Sequence, residues 1–334
     1  MPAGKTMPPN CVIISVTGMT VYPLIEPYAT GLLDVGDDNR IYWETSGNPE
    51  GKAALCVHGG PGGGGTRGSR KAFDPDRFRI ILFDQRGCGE SLPNAADPSV
   101  DLSGNTTEHL IADMERLREH LGVDRWLLHG GSWGATLMIA YAERFPERVS
   151  EIVLICPSLS SFAEFDWLYG GGLRVLFPDA YEAFVRAAQD DDVLAGYERL
   201  LASPDPTVRE QATADWCAWE DAVIAHETLG RPGQYGNHAG VLAMVRIIVH
   251  YARHRAWLAD GQLLRDAHKL AGIPGVVVSG RRDLSCPLLY AWELVRAWPE
   301  AELKIIEDSG HTGSPALAAA LGEAVEKFSP PVAR

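Results

Sequence analysis

The sequence predicts an α/β fold: a mostly parallel, doubly wound sheet with an inserted helical cap. Short, nearly continuous apolar runs recur through the first 157 residues, the pattern of strands buried on both faces. Helical stretches separate them, and this alternation builds parallel sheets. From residue 158 the strand signals stop, and they resume only at 273–280 and 301–308.

The strand candidates are 41–44 (IYWE), 54–60 (ALCVHGG), 79–85 (RIILFDQ), 125–131 (RWLLHGG) and 151–156 (EIVLIC). Between the third and fourth, residues 106–123 place Leu110, Ile111, Met114, Leu117 and Leu121 on one helical face. A second helix opens at Ser132 and runs to Phe145, where Pro146 stops it. Residues 158–268 carry Trp- and Tyr-rich helical patterns. The expected organisation is therefore a core of residues 1–157 and 269–334, with residues 1–20 as an extension. Residues 158–268 form the cap over the strand ends.

A chain of 334 residues can bury one large core plus an insertion. Its net charge of −14 argues against a nucleic-acid backbone or an anionic membrane as partner. The cysteines, Cys11, Cys56, Cys88, Cys156, Cys217 and Cys286, show no C-x-x-C spacing, and several sit in apolar runs. A reducing cytoplasm is the expected location. The apolar run 11–16 is short and lacks a small-residue cleavage site, so no signal peptide is expected. No run reaches the roughly 18 to 20 apolar residues of a membrane span.

Residues 60–65 (GPGGGG) match the dinucleotide fingerprint G-x-G-x-x-G, and Asp84 lies where a ribose-binding acid belongs. That reading needs a helix opening in the glycines to hold a pyrophosphate. Here Gly68 and Pro75 follow, with no amphipathic period and no P-loop lysine, so no nucleotide cofactor is expected. Glycines suit another role: they let backbone N–H groups approach a developing oxyanion.

Ser132 lies in Gly130-Gly131-Ser132-Trp133-Gly134, a G-x-S-x-G turn between a strand and an apolar helix. Such a turn presents a serine above the sheet at a helix N-terminus, where negative charge is favoured. A serine nucleophile needs a base, and the base an orienting acid. On this architecture the order is Ser, Asp, His, with the partners on loops after later strands. Asp283 follows VVVSGRR and His311 follows LKIIEDSG in that way. Asp84 precedes the serine and is expected to organise the DQRGCGES turn. Asp308 lies too near His311 to come from a separate loop, and His129 reads as a structural histidine beneath the turn.

In the insertion, Trp216, Trp219 and Glu220 fall together. A carboxylate among aromatics could hold a substrate ammonium in a dry site, although a solvated Glu220 is the commoner outcome for such a pattern. His250 and His254 have i, i+4 spacing but no third ligand nearby, so no metal is expected.

Taken together, HGGPGGG, LFDQRGCGES, GGSWGATLMIAYAERFPERV, WCAWE, SGRRDLSCP and SGHT resemble the proline iminopeptidases, serine aminopeptidases of the α/β-hydrolase fold. The resemblance spans roughly residues 22–315 and is patchy in the cap. It implies a triad of Ser132, Asp283 and His311, oxyanion donors at the N–H groups of Gly60 and Trp133, and amine binding by Glu220. One residue departs from it: Ile248 stands in RIIVHYA where family members usually carry a second amine-binding glutamate.

The expected function is a serine hydrolase that cleaves an N-terminal aminoacyl amide, prolyl or small, through an acyl-enzyme. The substrate is a small peptide or a small-molecule aminoacyl amide. A second reading is an amidohydrolase that removes a protecting aminoacyl group from a hydrophobic non-peptide amine, such as a polyketide intermediate. A third is a carboxylesterase. Natural leaving group and oligomeric state stay open at this stage.

Overall fold

The computed structural model describes residues 11–13, 22–65, 67–227, 229–230, 233–236 and 240–331. Its centre is a nine-stranded sheet. In chain order the strands are β1 (Cys11–Ile13), β2 (Ala29–Gly36), β3 (Asn39–Gly47), β4 (Lys52–Val57), β5 (Phe78–Phe83), β6 (Trp126–Ser132), β7 (Val149–Pro157), β8 (Gly275–Gly280) and β9 (Ala301–Ile306). Across the sheet they run β1-β9-β8-β7-β6-β4-β5-β3-β2. The strands from β1 to β5 in that order pair in parallel, while β3 and β2 are antiparallel. β4 has β5 on one side and β6 on the other, so the winding reverses there. The crevice beyond such a switch point is where open α/β sheets place their ligands.

Every residue of β8 is buried, as its continuous apolar run requires. β2 alternates instead between exposed residues and half-buried or, at Val35, buried ones, as the edge strand of a hairpin does. The hairpin turns on Asp37 and Asp38, both at positive φ (54° and 57°), the type I′ geometry that matches strand twist. An Asp-Asp pair signals such a turn less clearly than Asn-Gly, and β2 is absent from the sequence-based strands for that reason. The expected N-terminal extension, residues 1–20, lies outside the described residues apart from 11–13. Those three pair with Leu303–Ile305 and cover the free edge of β9.

The α-helices of the described residues are α1 (Thr107–His120), α2 (Trp133–Arg144), α3 (Phe162–Leu168), α4 (Pro178–Ala188), α5 (Val193–Leu201), α6 (Pro206–Ile224), α7 (Val241–Arg253), α8 (Gln262–Asp266), α9 (Leu288–Ala297) and α10 (Pro315–Lys327). α1, α2 and α9 bury Leu110, Met114, Leu137 and Leu294 in one large core with Leu128 and Leu154 of the sheet. α10 sets Leu317, Ala320 and Ala324 against Val276 and Val278 in a separate cluster. Helices α3 to α8 all lie between β7 and β8 in the chain. Part of this segment has its own aromatic core. Phe184 stacks on Tyr197 and Trp219, with ring centroids 4.9 and 5.5 Å apart, and meets Trp216 edge-on. Among the described residues, no helix is long and apolar enough to cross a membrane.

Candidate active site

The loop after β4 and the turn after β6 meet at the switch point. Ser132 ends β6 with φ 55° and ψ −129°, a left-handed conformation that L-residues rarely adopt. Its side chain makes no capping bond to α2, so the hydroxyl is not spent on the helix. Backbone strain of this kind costs on the order of 1–3 kcal/mol and persists where surrounding structure enforces it. The enforcement is visible in the neighbours: a Cβ at Gly134 would come within 2.4 Å of the Val57 carbonyl oxygen, and one at Gly130 within 2.2 Å. Gly134→Ala therefore pushes α2 away from β4, with an expected loss of about 2–4 kcal/mol in chemical denaturation.

On the facing loop, the Asp84 carboxylate accepts N–H bonds from Gly65 at 2.5 Å and Glu90 at 2.8 Å. It thus organises the glycine loop as well as the DQRGCGES turn. Buried Gln85 joins both sides of the crevice. Its N–H donates to His58 Nε2 (3.0 Å) and its side-chain amide to the His58 carbonyl (2.8 Å). Its Oε1 accepts from the Trp133 indole (2.9 Å). Nothing in the sequence pattern singled out Gln85, since its partners lie 27 and 48 residues away. Gln85→Leu removes both side-chain hydrogen bonds, to the His58 carbonyl and from the Trp133 indole, for which a fall in kcat of about 10-fold or more is expected from the loosened crevice.

Asp283 follows β8 and His311 follows β9. His311 Nδ1 lies 3.0 Å from Asp283 Oδ2, and Asp283 Oδ1 accepts the Cys286 N–H at 2.7 Å. Asp283 is buried, and the bond to Nδ1 leaves the opposite ring nitrogen, Nε2, free of that pairing. Burial alone lowers the imidazole pKa. The Asp283 charge, with a smaller contribution from Cys286, outweighs it and holds His311 well above its ordinary value. The Cys286 thiol hydrogen-bonds to the His311 ring, and burial raises its own pKa to about 11, so it stays neutral. Ser132 and His311 line the same two cavities.

The smaller cavity, about 70 Å³, is lined by Ser132, Trp133, Tyr169, Glu220, Ile248 and His311, with Gly60 at its edge. Glu220 on α6 is 4 % exposed rather than solvated. Its Oε1 accepts the Tyr169 hydroxyl proton at 2.9 Å. Desolvation raises its pKa to about 7 against the opposing pull of Tyr169 and His311. Tyr169 escaped the sequence reading because it lies 51 residues from Glu220 in a stretch without a motif. The larger cavity, about 420 Å³, opens on the glycine-loop side, where Val57, Leu82, Ile155, Ile224 and Met244 line it.

The remaining candidates fall elsewhere. His129 packs edge-on against Phe73, and burial lowers its pKa to about 4, so it is neutral at pH 7. His254 stacks on Trp257 at 4.6 Å, and its ring meets that of His250 edge-on at 4.9 Å. Among the described residues, the one grouping of possible metal ligands is Cys156, Asp283 and His311, whose donor atoms lie within 4.8 Å of one another. There the carboxylate is already committed to Nδ1 of His311, and burial keeps the Cys156 thiol protonated.

A strained serine at a strand-to-helix turn on a switch point, beside an Asp–His pair, defines a hydrolase-type α/β site, and residues 53–314 match the family model for the alpha/beta hydrolase fold. The chain is 46 % identical to the protein named "Probable proline iminopeptidase" in Streptomyces coelicolor, across 90 % of this chain and 97 % of that one. It is 42 % identical to a proline iminopeptidase of Xylella fastidiosa, across 88 % and 94 %. The crystal structure of a proline iminopeptidase-related protein from Thermus thermophilus covers 90 % of this chain and 98 % of its own, with a TM-score of 0.58 and 27 % identity. The chain belongs to the proline iminopeptidase family, enzymes of the α/β-hydrolase class.

Proposed function

We propose that the protein is a serine aminopeptidase that releases an N-terminal prolyl or small aminoacyl residue from a peptide or amide. Ser132 Oγ attacks the scissile carbonyl while His311 Nε2 takes its proton, and Asp283 holds the imidazole through Nδ1. The N–H groups of Gly60 and Trp133 receive the oxyanion, a contribution of about 3 kcal/mol per donor. The C–N bond then breaks as His311 returns the proton to the leaving amine. Water, deprotonated by the same imidazole, attacks the ester and frees the amino acid and Ser132.

The observation that carries the substrate reading is Glu220: a buried carboxylate in a 70 Å³ cavity shared with Ser132 and His311. A free ammonium there finds a counter-charge in a dry site, and the small cavity favours a short side chain. An N-acylated substrate offers no such charge. The relatives' names support proline as the residue bound.

The test is kcat/KM for prolyl and alanyl amides, each with and without an N-acyl block, with Ser132→Ala as control. A preference for the free prolyl amide supports the aminopeptidase, and indifference to the block favours the carboxylesterase reading. The larger apolar cavity on the leaving-group side favours a second reading, release of the aminoacyl group from a hydrophobic non-peptide amine. In that case prolyl or alanyl amides of long alkylamines outperform dipeptides with a free carboxylate.

A further inference from the structure

Glu227 is a buried carboxylate with no part in the reaction just described. It lies in the turn that continues α6, two helical turns beyond Glu220. Backbone bonds tie that turn to the helix: Ala225 N–H to the Asp221 carbonyl (2.8 Å), Glu227 N–H to the Ile224 carbonyl (3.0 Å), and Gly230 N–H to the Glu227 carbonyl (3.1 Å). Glu227 is 6 % exposed. Its Oε2 accepts the N–H of Thr312 at 2.6 Å, while Oε1 has no hydrogen-bond partner among the described residues. A Cβ on Gly310 would stand 2.2 Å from its Cδ and 2.6 Å from Oε1. The carboxylate therefore packs directly on the backbone at Gly310 and bonds the backbone at Thr312, the two residues that flank His311.

A half-satisfied buried carboxylate is costly, and an apolar side chain would close the same gap more cheaply. What this side chain adds over an apolar one is a carbonyl-type oxygen that accepts the Thr312 N–H at 2.6 Å in a fixed direction. We propose that Glu227 is a positioning residue for His311: it fixes the histidine loop from the turn that follows α6, the helix that carries Glu220. The turn that ends the amine-gripping helix thereby sets the general base. This inference rests on the assignment of His311 as base, but not on the identity of the substrate.

The experiment compares Glu227→Ala, Glu227→Asp and Glu227→Gln with wild type on two substrates. One is a free prolyl amide. The other is p-nitrophenyl acetate, which has no amine for Glu220 to hold. Ser132→Ala is the control, and the rate of Ser132 labelling by a fluorophosphonate is a readout independent of turnover. The expected result is a fall in kcat of about 10-fold or more for Ala and Asp on both substrates, with KM within twofold and labelling slowed in parallel. Gln, whose carbonyl oxygen still accepts the Thr312 N–H, retains at least half of kcat. The Asp variant keeps the charge but shortens the reach, so it carries the test if the Ala variant does not fold.

A rise in KM with kcat intact, or an effect confined to the prolyl amide, overturns the proposal in favour of a substrate contact. Equal loss in Gln and Ala overturns it in favour of the charge alone, and unchanged kinetics overturn it outright. If prolyl amide is not cleaved while acetate hydrolysis still depends on Glu227, the aminopeptidase reading fails and this one stands. If Ser132→Ala leaves acetate hydrolysis intact, the triad assignment fails and the inference falls with it.

Discussion

Asp283→Asn is expected to lower kcat by about 10⁴-fold while the protein remains folded, the cost of holding a catalytic histidine in the wrong tautomer. Both carboxylate oxygens of Asp283 accept hydrogen bonds, one from Cys286 N–H at 2.7 Å and the other across the 3.0 Å contact to His311 Nδ1. An asparagine has one acceptor and one donor end. The Cys286 N–H, a fixed backbone donor, takes the carbonyl oxygen, so the amide NH₂ faces Nδ1. His311 then carries its proton on Nε2 and cannot accept one from Ser132. Steady-state kinetics beside a thermal melt check this. A loss of kcat with KM and Tm nearly unchanged is the expected outcome, and retention of more than a tenth of wild-type kcat would remove Asp283 from the mechanism.

Glu220→Gln carries the second large effect, and its pH dependence gives it a distinctive signature. Losing one partner of a buried charge pair costs about 3–5 kcal/mol, so kcat/KM on free-amine substrates is expected to fall by roughly 10²–10⁴. An N-acylated or ester substrate makes no use of the carboxylate and changes little. In the free enzyme, burial raises Glu220 to about 7, so it is largely neutral below that pH and anionic above. Amine capture therefore strengthens as pH rises through 7 and is lost as pH falls.

His311 acts in the same direction. Asp283 overcomes the effect of burial and holds the imidazole well above its ordinary pKa, so the neutral, base-competent form also appears on the alkaline side. With two groups to deprotonate, log kcat/KM on the acid limb approaches a slope of two. Glu220→Gln removes one group and brings the slope to one. A wild-type slope of one, unchanged in the variant, would separate Glu220 from substrate binding.

The two halves of this molecule differ in how much their sequence discloses. The central strands were legible because burial on both faces leaves a continuous apolar run, as at 54–57, 151–156 and 275–280. The serine turn was legible because its constraint is local. Gly130 and Gly134 are required where β6 and α2 press on the Val57 carbonyl, and that requirement appears as G-x-S-x-G in five consecutive residues. Strand β2 was not legible, because an edge strand alternates and its turn is Asp-Asp.

The sequence by itself determined the α/β class, the insertion point after β7 and the chain order Ser132, Asp283, His311. Only the tertiary structure decided what surrounds those residues. Whether Glu220 was solvated or buried depended on packing around α6, and an amphipathic pattern does not specify the partner across the gap. Tyr169, Gln85 and Glu227 take their roles from atoms 27 to 85 residues away. A local pattern records the constraints a residue meets along its own strand or helix. A buried hydrogen bond between distant segments leaves no such record, since either partner alone looks like an ordinary polar residue until the fold removes the water around it.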